Sequence, residues 1–278
     1  MRFAVVAHHR SDTNRALAEA AGGAVCSPRE ALLSLGRGDV ALARLDVAET
    51  LDGIEPGLEL LERLESAGVA VLNRPAALLA AHDKLLTARL LRRSALPHPH
   101  TVLLGPGAEP PRGLDHPIVL KPRFGSWGRD VTLCRDDDEL RRALEELRFR
   151  PWLRSHGALL QELVPPVGHD LRVVVAAGRV VGAARRDAAP GEWRTNVALG
   201  GISRPADPPP DACRLAEAAA AAIGADLVGV DLLPVGGGHA ILELNGAVDV
   251  QPWYAQDGDL AGAAVAALLP VVAGPQAA

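Results

Sequence analysis

Short apolar runs alternate with amphipathic segments along the first 74 residues of the chain. The runs "FAVVAH", "AVCS", "DVALARL" and "VAVLN" predict strands, and the segments between them, such as "GLELLERLESAG", carry apolar residues at helical spacing. This alternation predicts a parallel sheet with connecting helices. Because no GxGxxG motif follows the first strand, the sequence gives little support for dinucleotide binding or for a Rossmann oxidoreductase.

The pattern changes after this region. Residues 75–96 have apolar positions at helical spacing and predict one helix, which Pro97 ends. From "TVLL" onwards the apolar runs are short and separated by turns, which is typical of antiparallel strands, with helices over "DDDELRRALEELRFR" and "DACRLAEAAAAAIG". We therefore expect an α/β domain over residues 1–74, followed by a region of helices and antiparallel strands.

Composition narrows the classes of function. The 278 residues carry a formal net charge of -5, which argues against a general nucleic-acid binder. The three cysteines lie far apart, as is typical of reduced thiols in the cytoplasm. The N-terminal apolar run is too short for a signal peptide, and "LAGAAVAALLPVVAG" falls short of the ~20 residues that span a bilayer. We expect a cytoplasmic protein without a membrane segment.

Two apolar runs around a glycine turn, "LVGVDLLPV" and "AILELNG", predict a hairpin that carries acidic residues. If its turn centres on Gly237, Asp231 lies opposite Glu243, and Asn245 shares a face with Glu243. Two opposed carboxylates repel each other, and a divalent cation between them would remove that repulsion. This oxygen set suits Mg2+ or Mn2+. Polar residues on an edge strand that faces water are the alternative.

The stretch "PIVLKPRFGSWGRDV", residues 117–131, places a lysine at the end of an apolar strand and a glycine loop after it. The order is reversed relative to a Walker P-loop, and "DVTLC" predicts a second strand after the loop. Backbone N–H groups at Gly125 and Gly128 can approach phosphate oxygens because no Cβ obstructs them. Lys121 and Lys84 are therefore candidates for phosphate contacts, with solvated lysines as the alternative.

Polar side chains also interrupt the later strands. Within "LLQELV", Glu162 could accept hydrogen bonds from ribose hydroxyls, or could simply face solvent. Asp170 and Arg172 flank a predicted turn, where they would form a surface ion pair. Several nearby polar residues indicate either an anionic reaction centre or a basic surface, namely Arg185, Arg186, Arg194 and Asn196.

Taken in order, these motifs resemble the ATP-grasp superfamily, and within it the RimK/LysX branch of carboxylate–amine ligases. The resemblance covers about residues 69–246 and rests on "AHDKLLTARLL", "PIVLKPRFGSWGR", "LLQELV", "GHDLRVVVAAGRVVGAARR", "EWRTNVALGG", "LVGVDLL" and "ILELNG". Each motif is weak alone, whereas the ordered set is specific. The resemblance implies an ATP-grasp fold, with residues 1–74 as the pre-ATP-grasp domain and ATP clasped between two α+β lobes, over residues 75–155 and 156–278.

The resemblance also implies roles for individual residues. The residues expected at the nucleotide are Lys84, Lys121, Gly125, Ser126, Gly128, Gln161, Glu162, Leu163, Asp170, Arg194, Thr195 and Asn196. The expected ligands of two Mg2+ or Mn2+ ions are Asp231, Glu243 and Asn245. Arg172 and Arg185 would face the acyl phosphate and the transferred phosphoryl group. The histidines His8, His9 and His82 need no catalytic role in this chemistry.

The implied reaction joins a carboxylate and an amine through an acyl phosphate, and converts ATP to ADP and phosphate. "GSWGR" resembles the LysX side, whose members join an amino acid to the C-terminal glutamate of a carrier protein. A RimK-type ligase that adds glutamate to a protein C-terminus or a cofactor tail is the alternative, and a catalytically silent nucleotide-binding scaffold is the non-enzyme hypothesis.

The segment that follows the predicted metal hairpin, "GAVDVQPWYAQDG", closely matches neither branch. We expect it to border the acceptor site, and His8 and His9 are candidates for the same site because they follow the first strand. The resemblance is also compatible with a homodimer or a homotetramer.

Overall fold

The computed structural model describes residues 1–111 and 113–273 of the chain. Its N-terminal part is the predicted parallel sheet, with strand order β2-β1-β3-β4. The strands are β1 (Phe3–Val6), β2 (Ala24–Cys26), β3 (Val40–Ala43) and β4 (Ala70–Leu72), and the connecting helices are α1 (Asp12–Ala20), α2 (Pro28–Ser34) and α3 (Leu58–Ser66). Ser11 and Ser27 cap α1 and α2, accepting hydrogen bonds from backbone N–H groups of their first turns.

Two helices replace the single helix predicted over residues 75–96. They are α4 (Pro75–His82) and α5 (Lys84–Arg93), and Asp83 separates them in an extended conformation. The Asp83 carboxylate caps α5 by accepting hydrogen bonds from the backbone N–H groups of Leu85 and Leu86, and its backbone forms a β-bridge to Phe124. This break places Lys84 at the start of α5, beside the glycine loop.

The second sheet is antiparallel, with order β5-β8-β6-β7. Its strands are β5 (Thr101–Leu104), β6 (Ile118–Pro122), β7 (Thr132–Cys134) and β8 (Ala158–Glu162), and it carries α6 (Asp137–Leu147) and the unpredicted helix α7 (Pro151–His156). The predicted lobe boundary between residues 155 and 156 therefore lies too early, because β8 pairs with β5 and β6 rather than with the last sheet.

The third sheet has order β11-β10-β9-β12-β13. Its strands are β9 (His169–Ala176), β10 (Arg179–Asp187), β11 (Ile202–Pro205), β12 (Leu227–Val235) and β13 (Gly238–Asn245), with α8 (Pro210–Ile223) on one face and α9 (Leu260–Ala273) at the C-terminal side. Leu260 and Leu268 of α9 pack in one apolar cluster with Phe3 and Leu17, so the last helix joins the third sheet to the N-terminal domain.

The predicted C-terminal lobe extends to residue 278, and residues 274–278 lie outside the described part of the chain. Among residues 1–111 and 113–273, no helix combines the length and apolar character that a membrane crossing requires.

Candidate active site

A cleft between the second and third sheets brings the sequence-predicted residues together. Every residue expected at the nucleotide lines this first cleft, and so do Asp231 and Glu243. A second cleft adjoins it and is lined by Arg172 and Asn245. The two clefts share a boundary formed by Ser126, Trp127, Arg186, Asn196 and Glu243.

Two lysines project into the first cleft. Lys121 is the penultimate residue of β6 and is only 4% exposed, and its Nζ donates to Gln161 Oε1 at 2.7 Å. Burial lowers the pKa of Lys121 to about 8, although the nearby Glu243 carboxylate acts in the opposite direction. Lys84 Nζ donates to the Gly125 carbonyl and lies 3.4 Å from Glu243 Oε2. Two ammonium groups with one nearby carboxylate between them form a site suited to an anion.

The glycine loop spans residues 123–131 between the antiparallel strands β6 and β7, as predicted. Gly128 has φ +68°, and a Cβ at this position would lie 2.9 Å from Asn196 Oδ1. Arg194 Nη1 donates to the carbonyls of Gly128 and Val131, at 3.2 Å each. The loop of the second sheet is thus fastened to the segment that follows β10, across the mouth of the first cleft.

A network of buried charges forms the floor between the clefts. Arg172 donates to both oxygens of Asp231 at 2.8 Å, and Arg186 Nη2 lies 2.9 Å from Asp231 Oδ2. Arg186 Nε donates to Asp170 Oδ1 at 2.8 Å, and Thr195 Oγ1 donates to Asp170 Oδ2 at 2.6 Å. Burial alone would raise the pKa of Asp231, but the two guanidinium groups hold it below its ordinary value.

This network corrects one sequence-based interpretation. Asp170 and Arg172 were expected to flank a turn as a surface ion pair, whereas both lie on β9 and Asp170 is fully buried against Arg186.

The structure also corrects the role predicted for Arg185. A β-bulge between Val180 and Gly182 shifts the register of β10, so that Arg186 lies opposite Asp170. Arg185 is on the other face of the sheet, where its half-exposed side chain donates to Asp187 Oδ1 at 2.8 Å. Arg185 lines neither cleft, whereas Arg186 lines both.

The predicted pairing of Asp231 with Glu243 is confirmed by the register of β12 and β13. The turn lies at Gly236 and Gly237, so its centre is half a residue earlier than predicted. A β-bulge leaves Leu242 without a partner on β12, and this extra residue brings Glu243 back opposite Asp231. The expected repulsion is relieved by cationic side chains, because Asp231 is bound to arginines and Glu243 lies near Lys84.

These contacts determine which of the predicted ligands are free to bind a metal ion. Within the described ranges, no group of three or more His, Cys, Asp or Glu side chains is arranged to hold a metal. Both Asp231 oxygens already accept hydrogen bonds from Arg172, whereas Asn245 Nδ2 is buried without a partner in the described chain. The oxygens of Glu243 and Asn245 fit a hard divalent cation whose remaining ligands come from phosphate and water.

The second cleft is walled by the N-terminal domain and by the segment after β13. That segment lines it through Ala247, Val248, Asp249, Gln251, Trp253 and Tyr254. His8 and His9, by contrast, do not line it. His8 Nε2 bonds to the Pro56 carbonyl at 2.7 Å, and His9 Nε2 lies 3.2 Å from Glu55.

Two residues of this second cleft, Asp46 and His82, received no role from the sequence. His82 directly precedes the break at Asp83, and burial lowers its pKa to about 4. Asp46 follows β3, at the carboxyl edge of a parallel sheet, where ligands commonly bind. That placement is the signal in the sequence that could have identified Asp46.

Known proteins match the chain over the regions that build these clefts. Residues 81–267 match the RimK-like ATP-grasp domain family. The tetrahydromethanopterin:alpha-L-glutamate ligase of Methanosarcina acetivorans is 30% identical in an alignment of 244 positions, which covers 75% of this chain and 75% of that protein. The glutamate–LysW ligase ArgX of Sulfurisphaera tokodaii is 30% identical over 188 residues, or 66% of either chain.

Solved structures agree on the fold. A RimK domain ATP-grasp protein from Sphaerobacter thermophilus superposes with a TM-score of 0.70 at 22% identity, covering 97% of this chain and 100% of that one. The D-alanine–D-alanine ligase from Bacillus anthracis, complexed with ATP, gives a TM-score of 0.70 at 16% identity, covering 98% and 99%. The chain therefore belongs to the RimK-like ATP-grasp family, and it is an ATP-dependent ligase that forms carbon–nitrogen bonds.

Proposed function

We propose that the protein joins an amino acid to a glutamyl or other carboxylate acceptor, with ATP in the first cleft and the organic substrates in the second. The observation that carries this proposal is the shared boundary of the two clefts. Arg186 and Glu243 line both of them, so a phosphoryl group at the boundary would contact the lysines on one side and a substrate carboxylate on the other.

The side chains of the first cleft suit a triphosphate. Lys84 and Lys121 would bind the phosphates together with backbone N–H groups at Gly125 and Gly128. Residues 161–163 also line this cleft, and they would receive the adenosine. The charge that builds up during phosphoryl transfer would be stabilised by the lysines and by Arg186, which is held in position by two carboxylates.

The reaction then has two steps. A substrate carboxylate oxygen attacks the γ-phosphorus of ATP, which releases ADP and leaves an acyl phosphate. The amine nitrogen attacks the acyl carbon, phosphate leaves with the oxygen that it received, and the amine proton passes to solvent. Arg172, at the second cleft, would bind the carboxylate that is activated.

A divalent ion would be held by Glu243 and Asn245. When bound, Mg2+ supplies Lewis-acid stabilisation of the phosphoryl charge. We propose Mg2+ rather than a softer metal because both side-chain ligands are oxygens, and a second ion requires that Asp231 be released from its arginines.

The glycine loop would keep water from the acyl phosphate. Arg194 ties the loop to the third sheet, and Trp127 is 55% exposed at the boundary between the clefts, where it can cover bound substrates.

A glutamate ligase acting on a protein C-terminus or a cofactor tail is the second candidate. The names of two relatives favour it, since one is a tetrahydromethanopterin:alpha-L-glutamate ligase and the other a glutamate–LysW ligase. In the first candidate glutamate is on the acceptor side, whereas in the second it is the amine that is added.

A substrate screen tests the proposal. Candidate acids, including glutamate-terminated peptides, are combined with amino acids, and substrate-dependent ADP release is followed by mass analysis of the product. We expect an amide product with one ADP and one phosphate per bond, and loss of that activity in Glu243→Gln. Release of AMP and pyrophosphate, or ADP release without an amide in any combination, would contradict the proposal.

A further inference from the structure

The buried ammonium of Lys121 is the donor end of a chain of three hydrogen bonds. Lys121 Nζ donates to Gln161 Oε1 at 2.7 Å, and Gln161 Nε2 donates to Thr101 Oγ1 at 2.8 Å. Thr101 Oγ1 in turn donates to the Pro99 carbonyl at 3.0 Å. Lys121 and Gln161 line the first cleft, whereas Thr101 lines a small cavity that adjoins it.

Strand pairing brings the three polar side chains to one face of the second sheet. Thr101 on β5 lies directly opposite Gln161 on β8, and Gln161 lies opposite Val119 on β6. Lys121 is two residues beyond Val119 on β6, so its side chain projects from the same face. The contacts between these side chains are therefore fixed by the register of β5, β8 and β6.

The two ends of the chain of hydrogen bonds fix the direction of every bond in it. An ammonium group can only donate hydrogen bonds, and the Pro99 carbonyl can only accept them. The Gln161 amide therefore satisfies both of its neighbours only with its oxygen towards Lys121. If the amide were turned round, its NH2 group would face the ammonium, and the Thr101 hydroxyl would have to leave the Pro99 carbonyl to donate to Gln161. The Thr101 hydroxyl thus selects the amide orientation that presents an acceptor to Lys121.

This acceptor determines where the ammonium can bind a ligand. Among residues 1–111 and 113–273, Gln161 is the only hydrogen-bond partner of Lys121 Nζ. One of the three N–H donors of the ammonium is used in this bond, and two remain for an anion in the first cleft. Because Lys121 is only 4% exposed, bulk water has little access to the ammonium, and its orientation depends on Gln161.

We infer that Thr101 is a positioning residue for ATP, which acts through Gln161 to hold the Lys121 ammonium in the orientation that binds a nucleotide phosphate. The inference rests on the phosphate contact proposed for Lys121, and it adds a residue that lies outside the lining of the nucleotide cleft. Position 101 requires a hydroxyl, because this group accepts from an amide and donates to a carbonyl at the same time. Valine has the shape of threonine but can do neither, whereas serine can do both.

The test measures the affinity of Thr101 variants of the full chain for ATP in the presence of Mg2+, by calorimetry. We expect Thr101→Val to weaken ATP binding by about fivefold or more, since the buried chain loses two hydrogen bonds. Thr101→Ser keeps the hydroxyl and should bind ATP within about twofold of wild type. Thr132→Val makes the same chemical change on β7 of the same sheet, outside both clefts, and is the matched control. Wild-type affinity in Thr101→Val, or an equal loss in Thr101→Ser or Thr132→Val, would overturn the inference.

A second background separates positioning of the ammonium from a general effect on the fold. If Thr101 acts through Lys121, Thr101→Val should change ATP affinity by less than about twofold on a Lys121→Met background. An equally large loss in both backgrounds would overturn the inference alone. Unchanged ATP affinity in Lys121→Met itself would contradict the phosphate contact in the proposed function, and the inference would fail with it.

Discussion

Arg172 donates two hydrogen bonds to Asp231, both 2.8 Å long, across the neighbouring strands β9 and β12. The Asp231 side chain is 2% exposed and the Arg172 side chain 16%, so this bidentate pair is shielded from water. A residue that the sequence assigned to a metal ion is therefore half of a buried ion pair, and it supports the fold as well as the site.

Replacing Asp231 should consequently destabilise the protein. Asp231→Asn leaves Arg172 and Arg186 with a neutral partner in a buried network, and we expect the free energy of unfolding to fall by about 3 kcal/mol. Urea denaturation followed by circular dichroism measures this change. Glu243→Gln removes the opposite, more accessible carboxylate and should cost about 1 kcal/mol or less. Equal free energies of unfolding for the two variants would show that the ion pairs of Asp231 contribute little to stability.

Replacing Arg186 should slow catalysis much more than replacing its neighbour on β10, Arg185. Arg186→Lys keeps the charge but loses the contacts that hold it between Asp170 and Asp231, so we expect the kcat of ADP formation to fall by about 10-fold or more. The Arg185 side chain lies on the opposite face of the sheet, so the kcat of Arg185→Lys should stay within about twofold of the wild-type value. Steady-state kinetics with the substrate pair found by screening make the comparison, and a larger loss in the Arg185 variant would restore the original assignment.

Nucleotide binding should weaken at alkaline pH. Burial lowers the pKa of Lys121 to about 8, so the ammonium that attracts phosphate is lost as the pH rises through this value. We expect ATP affinity to drop by about tenfold between pH 7 and pH 9. The matched variant Lys121→Met should bind ATP more weakly at pH 7 and show a flatter pH profile. Calorimetric titrations at pH 7, 8 and 9 decide this, and a constant wild-type affinity would argue against Lys121 as the phosphate contact.

The lowered pKa of Lys121 also makes stability depend on pH, with the opposite sign to the pH dependence of ATP binding. The unfolded lysine has a pKa near 10.5, so between about pH 8 and this value the unfolded chain binds the proton more strongly than the folded chain. The contribution of Lys121 to the free energy of unfolding therefore rises with pH across this window.

Local patterns were sufficient to predict much of the fold. The β–α alternation predicted the parallel N-terminal sheet, and the glycine-separated apolar runs predicted the hairpins of the third sheet. The break at Asp83 was not visible as a change in hydrophobic pattern, because it depends on a cap within α5 and on a bridge to Phe124, which is distant in sequence. The assignment of β8 to the second sheet likewise depends on pairing with distant strands.

Two β-bulges determined whether the residues predicted from regular hairpins were the ones that face the clefts. A regular hairpin with its turn at Ala177–Gly178 would place Arg185 opposite Asp170, and the bulge near Val181 moves Arg186 there instead. In the second hairpin, the bulge at Leu242 compensated for the misplaced turn centre, so the Asp231–Glu243 pair was correct. Hydrophobic patterning does not reveal either bulge, and each one reverses which side chains face the cleft.

The account depends most directly on transfer of the γ-phosphoryl group to a substrate carboxylate. Once screening has identified the acid, the reaction is run with that carboxylate labelled with 18O, and the released phosphate is analysed by mass spectrometry. Formation of an acyl phosphate predicts one 18O atom in each phosphate that accompanies an amide bond. Unlabelled phosphate released in step with amide formation would contradict the mechanism.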